Sequence, residues 1–344
     1  MKKILFIDNG IEFDSRTMRS QPTGGAENAF VSLVETLAKR NFNITVFNNC
    51  KNTGIINGVN WKKISEEIND WEFDIIVVNR GDKYLNFRKQ CKKRIFWIHN
   101  PAKYLLKFRY LKKLFFNSHN IVFSSQYHLK TYPNWAPFYK KTVIPYGVDS
   151  FFFDSKEKKS PPRPLAIFTS NAERGMSWLL DRWEQEIFPK VPKAKLNLFS
   201  GIENYGEFGE KKKKKVIPIL ARAESLKNKG VEVNKPIPRK KLVSELKKAR
   251  VFIYKGSKEE TFCMSVAEAQ VLAIPTVVKD YGCMRERVIH KKTGFICKTN
   301  NEFSRSVIKL LTENNTWLNM HNEMIKNNTH LTWDEVSEIW EKIL

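Results

Sequence analysis

The sequence predicts an α/β protein made of two parallel-sheet domains, and three observations lead there. Short apolar runs of strand composition alternate with amphipathic helical stretches along the chain, the pattern of a parallel sheet with crossover helices. The alternation is interrupted at residues 150–163, where a charge cluster and Pro161-Pro162 read as an inter-domain linker. A length of 344 residues suits two domains of ordinary size, each able to bury its own core. The expected division is therefore 1–149, a linker over 150–163, 164–330, and a closing helix over 331–344.

Met1-Lys2-Lys3 ahead of Ile4-Leu5-Phe6-Ile7 has the look of a signal-peptide start, but the apolar run is too short and Asp8 ends it. Lys3 to Asp8 is read as a strand. Gln21-Pro22-Thr23-Gly24-Gly25-Ala26-Glu27 then forms a glycine-rich loop opening a helix from Ala26 to Arg40, with Phe30, Leu33, Val34 and Leu37 on one face. Gly24 and Gly25 would let backbone approach a phosphate or sugar closely. The loop lacks both the Gly-x-Gly-x-x-Gly fingerprint and the lysine of a P-loop. The strand Asn43 to Phe47 ends in Asn48-Asn49 and not in an acidic residue that would hold an NAD ribose, which disfavours a dehydrogenase.

Strands follow at Asp74 to Asn79, Arg94 to Ile98 and Ile121 to Ser125. His99 falls at a strand C-terminus, where parallel sheets place their sites; a capped structural histidine fits there equally well. Lys103 to Phe116, KYLLKFRYLKKLFF, reads as one helix with Tyr104, Leu105, Phe108, Leu111 and Phe115 near one face. Lys103, Lys107, Arg109, Lys112 and Lys113 surround that stripe. Packing on the sheet and docking on an anionic membrane both stay open for it.

The second alternating unit begins with Leu165 to Asn171, after which Arg174-Gly175 opens a helix running to Phe188. Next come a strand at Leu196 to Phe199, a loop with Tyr205-Gly206, and the run Lys211 to Lys215, which fits a solvated face. Val231 to Ile237 leads into Pro238-Arg239-Lys240-Lys241-Leu242. The stretch around which the chain is organised is Lys255 to Gln270, KGSKEETFCMSVAEAQ. It follows the strand-like Val251-Phe252-Ile253-Tyr254 and turns helical after Glu260, with Thr261 as the expected N-cap. Free amides near Phe262, Cys263, Met264 and Ser265, with the positive end of the helix dipole, favour a phosphate there. Glu260 and Glu268 flank the site. A diphosphate would repel them, so they should reach hydroxyls, on a sugar and on a ribose; plain helix-surface charge is the other reading. Amphipathic helices close the chain at Glu302 to Leu311 and Asp334 to Leu344, the last with a stripe of Trp333, Val336, Ile339 and Trp340.

Composition excludes a disordered chain, at 42% hydrophobic and 12% aromatic residues. No stretch is long and apolar enough to span a bilayer. Five scattered cysteines without metal spacing read as reduced thiols of a cytosolic protein. The formal net charge of +24 fits a nucleic acid, an anionic membrane, or merely an AT-biased coding sequence.

Glu260-Thr261-Phe262, with Glu268 eight residues beyond Glu260 and seven residues between the two glutamates, resembles the paired-glutamate signature of retaining GT-B glycosyltransferases, in particular glycosyltransferase family 4. The resemblance continues through Ile274-Pro275-Thr276-Val277-Val278, Tyr281-Gly282, Glu286 and Thr293-Gly294-Phe295. Gly24-Gly25-Ala26-Glu27 matches the family's first loop, and Val143 to Asp149 its exit from the first domain, with Tyr146 where Asn is usual. The resemblance implies two Rossmann-like domains facing a cleft and a last helix crossing back to the first. It implies transfer of a sugar, with retained configuration and by a front-side route, from a nucleotide diphosphate sugar to a glycan or lipid-linked acceptor. No metal or other cofactor should be required.

The site residues implied are His99, Glu260 and Arg174 for catalysis. Gly24, Gly25, Thr169, Ile237, Lys255, Thr261, Phe262, Cys263, Met264, Ser265 and Glu268 are implied for the donor. Family members usually place an Arg and a Lys five apart to grip the diphosphate. Arg174 matches the Lys; Thr169 replaces the Arg, and Lys255 or Lys258 is expected to compensate. Cys263 and Cys283 replace glycines. The implied location is cytoplasmic, with a peripheral place on the inner membrane face as an extension. A GT-B epimerase and a basic nucleic-acid binder stay open, although no recognition module for nucleic acid is present.

Overall fold

Apolar runs at consecutive positions, rich in β-branched and aromatic side chains, make strands buried on both faces. A computed structural model describes residues 1–65, 72–87, 91–117, 119–137, 140–201 and 209–344. It divides into two units: Met1–Gly147 with Leu331–Leu344, and Val148–His330.

The first unit holds β1 (Lys3–Asp8), β2 (Asn43–Asn48), β3 (Gly54–Ile56), β4 (Val59–Lys63), β5 (Ile75–Asn79), β6 (Lys93–Trp97), β7 (Asn120–Phe123) and β8 (Lys141–Val143). Their order is β3-β4-β2-β1-β5-β6-β7-β8, parallel except for the β3–β4 pair. Strand order reverses between β1 and β5, and in open parallel sheets such a switch point is where ligands bind. The second unit holds β9 (Leu165–Phe168), β10 (Lys195–Phe199), β11 (Val231–Asn234), β12 (Val251–Tyr254), β13 (Thr276–Lys279) and β14 (Gly294–Cys297), all parallel in the order β11-β10-β9-β12-β13-β14. Its switch point lies between β9 and β12.

Several elements depart from the periodicity reading. Lys103 to Phe116 is not one helix: a short 3-10 turn, Ala102–Leu106, is separated from the helix Phe108–Asn117 by an extended Lys107. The bend divides the expected stripe, so Leu105 is buried while Phe108 and Phe115 are exposed. The helix expected after Glu260 starts later, at Met264, because Cys263 takes a left-handed conformation with φ of 62°. Thr261 is therefore not its N-cap. Past Arg174, Gly175 makes a left-handed turn before the helix Met176–Arg182, which continues as a π-helical turn, Trp183–Ile187. Within residues 150–163, Phe152 is fully buried in the second unit. The lysine run lies in the helix Gly209–Ser225, where Lys214 and Lys215 are exposed, in keeping with a solvated face. The Tyr205-Gly206 loop lies outside the described residues.

The core of the first unit is closed by its own C-terminal segment. Trp97 of β6 stacks on Phe30 of the helix Gly25–Lys39 and meets Trp340 edge-on at 5.2 Å. Trp340 belongs to the helix Trp333–Glu341, which opens on a capping box between Thr332 and Glu335. Gly147 makes this approach possible: a Cβ there would lie 2.7 Å from the backbone of Trp333. Trp340→Ala should cost about 3–5 kcal/mol of this unit's stability, read as a lower urea midpoint.

Two buried histidines of this unit are held by single hydrogen bonds to backbone carbonyls. His119 donates from Nε2 to Leu85 O at 3.0 Å. His128 donates from Nε2 to Asn100 O at 2.7 Å, while its Nδ1 accepts from the Ser124 amide. Burial lowers both from the ordinary 6.5 to about 4. As pH falls below 6.5 the unfolded chain binds these protons first, so the stability present above 6.5 is lost towards pH 4. Each histidine should contribute a slope of about 1.4 kcal/mol per pH unit in that window. Urea midpoints measured across it should rise with pH and then level, with a smaller slope in His128→Gln.

Candidate active site

At the switch point of the second unit, the loops after β9 and β12 bring Arg174 and Glu260 together. Tyr254, the last residue of β12, donates its hydroxyl to Glu260 Oε2 at 2.9 Å. Arg174 Nη1 lies 3.5 Å from the same oxygen and donates to Ser257 Oγ at 2.9 Å. Burial, with the Glu260 carboxylate beside it, raises Tyr254 well above its ordinary 10, so it is a standing donor. The backbone of Glu260 is clamped from the opposite side, where Cys283 N donates to Glu260 O at 3.1 Å. Gly282, at φ of 58°, allows this, since a Cβ there would lie 2.5 Å from that carbonyl. The Tyr281-Gly282 motif is thus a device that seats Glu260.

Lys255 stands beside Arg174. Its stem packs on Gly175, where a Cβ would come within 2.6 Å, and its ammonium lies 5.5 Å from the Trp178 ring. Thr169, which follows β9, has its hydroxyl oxygen buried with no hydrogen-bond partner among the described residues. The first amides of the helix Met264–Val271 open on the left-handed Cys263. The Cys263 thiol is pushed up to about 12 by burial and by Glu260, so it stays neutral. Ser265 Oγ lies 3.6 Å from its sulfur. Phe262 turns inward beneath the Arg287 guanidinium, 4.2 Å away, and Met264 is buried, so these two offer backbone more than side chain.

Glu268 is buried and ion-paired with Arg239, which also lies 3.4 Å from Asp149 and over the Phe152 ring. Ile237 is half-buried in the loop beyond β11, two residues before that arginine.

At the switch point of the first unit, Asp8 ends β1 and Asn79 ends β5. Arg80, left-handed at φ of 56°, donates from Nε to Asp8 at 2.8 Å and from Nη1 to Glu27 at 2.7 Å. Gly24 makes room for that glutamate: a Cβ on it would sit 2.3 Å from Glu27 Oε2. The anion at this helix N-terminus is therefore supplied by the chain itself, with Gly25 as the first helical residue. Two carboxylates and one guanidinium leave the loop with one net negative charge.

His99 lies just beyond β6 and is fixed by a relay. The Asn79 amide donates to Asp8, so its Oδ1 must accept from His99 Nε2, at 2.5 Å. His99 Nδ1 then accepts the Tyr146 hydroxyl. Burial, then the nearby Arg80, holds His99 well below 6.5. It is a neutral imidazole with both nitrogens engaged.

Sequence reasoning missed Tyr254, Ser257, Asp8, Asn79 and Arg80 as parts of these sites. All five sit at or just past a strand end, and Asp8 was read only as a strand terminator. Among the described residues no three His, Cys, Asp or Glu side chains gather as a metal site.

Residues 200–331 match the family described as Glycosyl transferases group 1. No curated protein matches the chain. Among solved structures, sucrose-phosphate synthase from Thermosynechococcus elongatus superposes with a TM-score of 0.77 at 13% identity, covering 100% of this chain and 98% of the other. Anabaena HepE, solved in complex with UDP, gives 0.72 at 12% over 100% and 99%. WaaG, a glycosyltransferase involved in lipopolysaccharide biosynthesis, gives 0.67 at 11% over 98% and 99%. These likenesses show the GT-B fold. With that fold, and with a group 1 glycosyl transferase match over the stretch carrying Glu260 and Glu268, the chain is a glycosyltransferase.

Proposed function

We propose that the chain is a retaining enzyme of the family 4 type, moving a sugar from a nucleotide diphosphate sugar to a glycan or lipid-linked acceptor in cell-surface polysaccharide or glycolipid synthesis. The observation carrying this reading is the Glu260–Arg174 pair, held by Tyr254 and Ser257 beside the N-terminus of the helix Met264–Val271. HepE, solved with UDP-glucose, and WaaG, described for lipopolysaccharide biosynthesis, point the same way.

In this reading the leaving diphosphate is stabilised by Arg174, Lys255 and the amides of Phe262 to Ser265, a set of fixed charges and dipoles. Thr169 supplies a hydroxyl where relatives place a second cation. Glu260 takes a sugar hydroxyl, and its geometry is set before substrate arrives, which lowers the reorganisation needed as charge develops. Glu268 reaches the ribose while Arg239 screens its charge, and backbone near Ile237 reads the base. The net negative charge beside Gly24-Gly25 repels a diphosphate, so that loop is assigned to sugar hydroxyls. His99 contributes position and polarity: a neutral ring with both nitrogens engaged is no proton carrier. The reading takes the front-side route, in which Glu260 orients the sugar and no carboxylate acts as nucleophile.

The donor is found by thermal shift with a panel of nucleotide diphosphate sugars, because a bound donor raises the melting temperature by mass action. With that donor, the NMR of the product should show the anomeric configuration retained; inversion overturns the mechanism. Arg174→Ala should lower kcat on the order of 100-fold, the usual cost of one electrostatic donor, with partial recovery in Arg174→Lys. Glu260→Ala should lower kcat comparably. Wild-type turnover in both variants would remove the assignment.

The His99 relay predicts a pH profile. Because His99 stays neutral, kcat/KM should show no ionisation near pH 6.5 that belongs to it. A limb near that pH that disappears in His99→Gln would make it a proton carrier after all. Tyr146→Phe should remove one hydrogen bond to the His99 ring, costing about 0.5–1.5 kcal/mol of stability, read as a lower urea midpoint.

A further inference from the structure

The basic charge of this chain is concentrated. Between Asp82 and Asp149 there are fourteen lysines and arginines and not one aspartate or glutamate. In the middle of this stretch the helix Phe108–Asn117 turns Tyr110 and Leu114 into the core of the first unit. On its outer side Phe108, Phe115 and Phe116 are 77%, 69% and 72% exposed, and Trp135, two residues before Pro137, is 77% exposed. Phe108, Leu111, Phe115, Phe116 and Pro137 line an open groove of about 390 Å³, with Lys112 as its one charged wall. Burying one phenylalanine side chain is worth about 1.5–3 kcal/mol, so several exposed in one patch require a partner.

The surrounding charges show which partner. Arg109 and Lys113 are not free for it, because both turn to Asp82, with Lys113 Nζ 3.2 Å and Arg109 Nε 3.8 Å from its carboxylate. Lys103, Lys107 and Lys112 are exposed and make no ion pair among the described residues. Aromatic side chains in a ring of unpaired ammonium groups complement acyl chains beneath anionic headgroups. Phe115 and Phe116 meet each other edge to face, at an interplanar angle of 89°, and do not offer two parallel faces for stacked bases. No helix among the described residues is long and apolar enough to cross a membrane.

We infer that the first unit docks on an anionic bilayer, with Phe108, Phe115, Phe116 and Trp135 inserted below the headgroups and Lys103, Lys107 and Lys112 on the phosphates. This is not the stripe expected from the sequence: Leu105 belongs to the core, and two of the five expected cations are held by Asp82. The inference does not depend on the sugar chemistry, because its readout is binding alone.

The test is co-sedimentation of the full chain with vesicles of phosphatidylcholine alone and of phosphatidylcholine mixed with phosphatidylglycerol. Binding should require phosphatidylglycerol and weaken as salt shortens the Debye length. Lys107→Gln with Lys112→Gln should lower partitioning more than tenfold, at roughly fivefold per charge. Phe115→Ser with Phe116→Ser keeps every charge and, both residues being exposed, should leave the melting temperature unchanged. It should also lower partitioning by about tenfold or more. Equal binding to neutral vesicles, or none at low salt, overturns the inference. So does retention that ignores the phenylalanine changes and is displaced by a single-stranded oligonucleotide, which would make the patch a general polyanion site. A dimer that the phenylalanine changes dissociate, with vesicle binding unaltered, overturns it as well.

Discussion

The second unit depends on holding the carbonyl and the carboxylate of one residue at once. Glu260 is gripped through its backbone by Cys283 N and through its side chain by Tyr254 and Arg174. Tyr254 comes from the end of β12, Arg174 from the loop after β9, and Cys283 from the loop after β13. Three adjacent strands of one sheet therefore meet at one residue, and their parallel register sets where its carboxylate points. A loop residue with this many tethers has little conformational freedom left to lose when it binds. Unstrained backbone is given up in exchange: Cys263 sits in a left-handed conformation that costs a non-glycine residue about 1–3 kcal/mol.

The two switch points differ in sign. In the first unit Arg80 is shared between Asp8 and Glu27, and the carboxylates outnumber it. In the second, Arg174 faces Glu260 beside the positive end of a helix, with Lys255 packed on the neighbouring Gly175. On the function proposed above, an acidic crevice suits hydroxyls and a basic one suits a diphosphate. Both sites lie at strand C-termini, and their side chains, more than their folds, divide the chemistry.

Much of the architecture was legible because it rests on local pattern. Ile4 to Ile7 and Val251 to Tyr254 are too apolar and too short for anything but buried strands, and Phe30, Leu33, Val34 and Leu37 mark a helix face unambiguously. The paired glutamates stood out through their spacing and their neighbours. Legibility ended where long-range geometry decides. Tyr254 reads as one more apolar strand residue until the register shows its hydroxyl against Glu260. Asn79 acquires a role only when β1 and β6 are placed on either side of β5. The helix after Glu260 was expected too early because a left-handed cysteine is a conformation no propensity would suggest. The reading of Lys103 to Phe116 as one helix failed at Lys107, whose extended backbone no breaker residue announces.

Gly294 shows how a scaffold can pass for chemistry. It faces Thr276 across β13 and β14, and a Cβ on it would lie 2.1 Å from the Thr276 carbonyl oxygen. The same threonine accepts a hydrogen bond from Gln270, which also reaches Thr293 O and so ties the helix Met264–Val271 to both strands. Any side chain at Gly294 pushes these strands apart and shifts the helix whose first turn faces the site. In a saturation scan scored by product formation, Gly294 would rank with the glutamates although it touches no reacting atom. Scored by soluble yield in parallel, the two kinds of position would separate, and the chemically necessary residues of this chain would be fewer than its motif suggests.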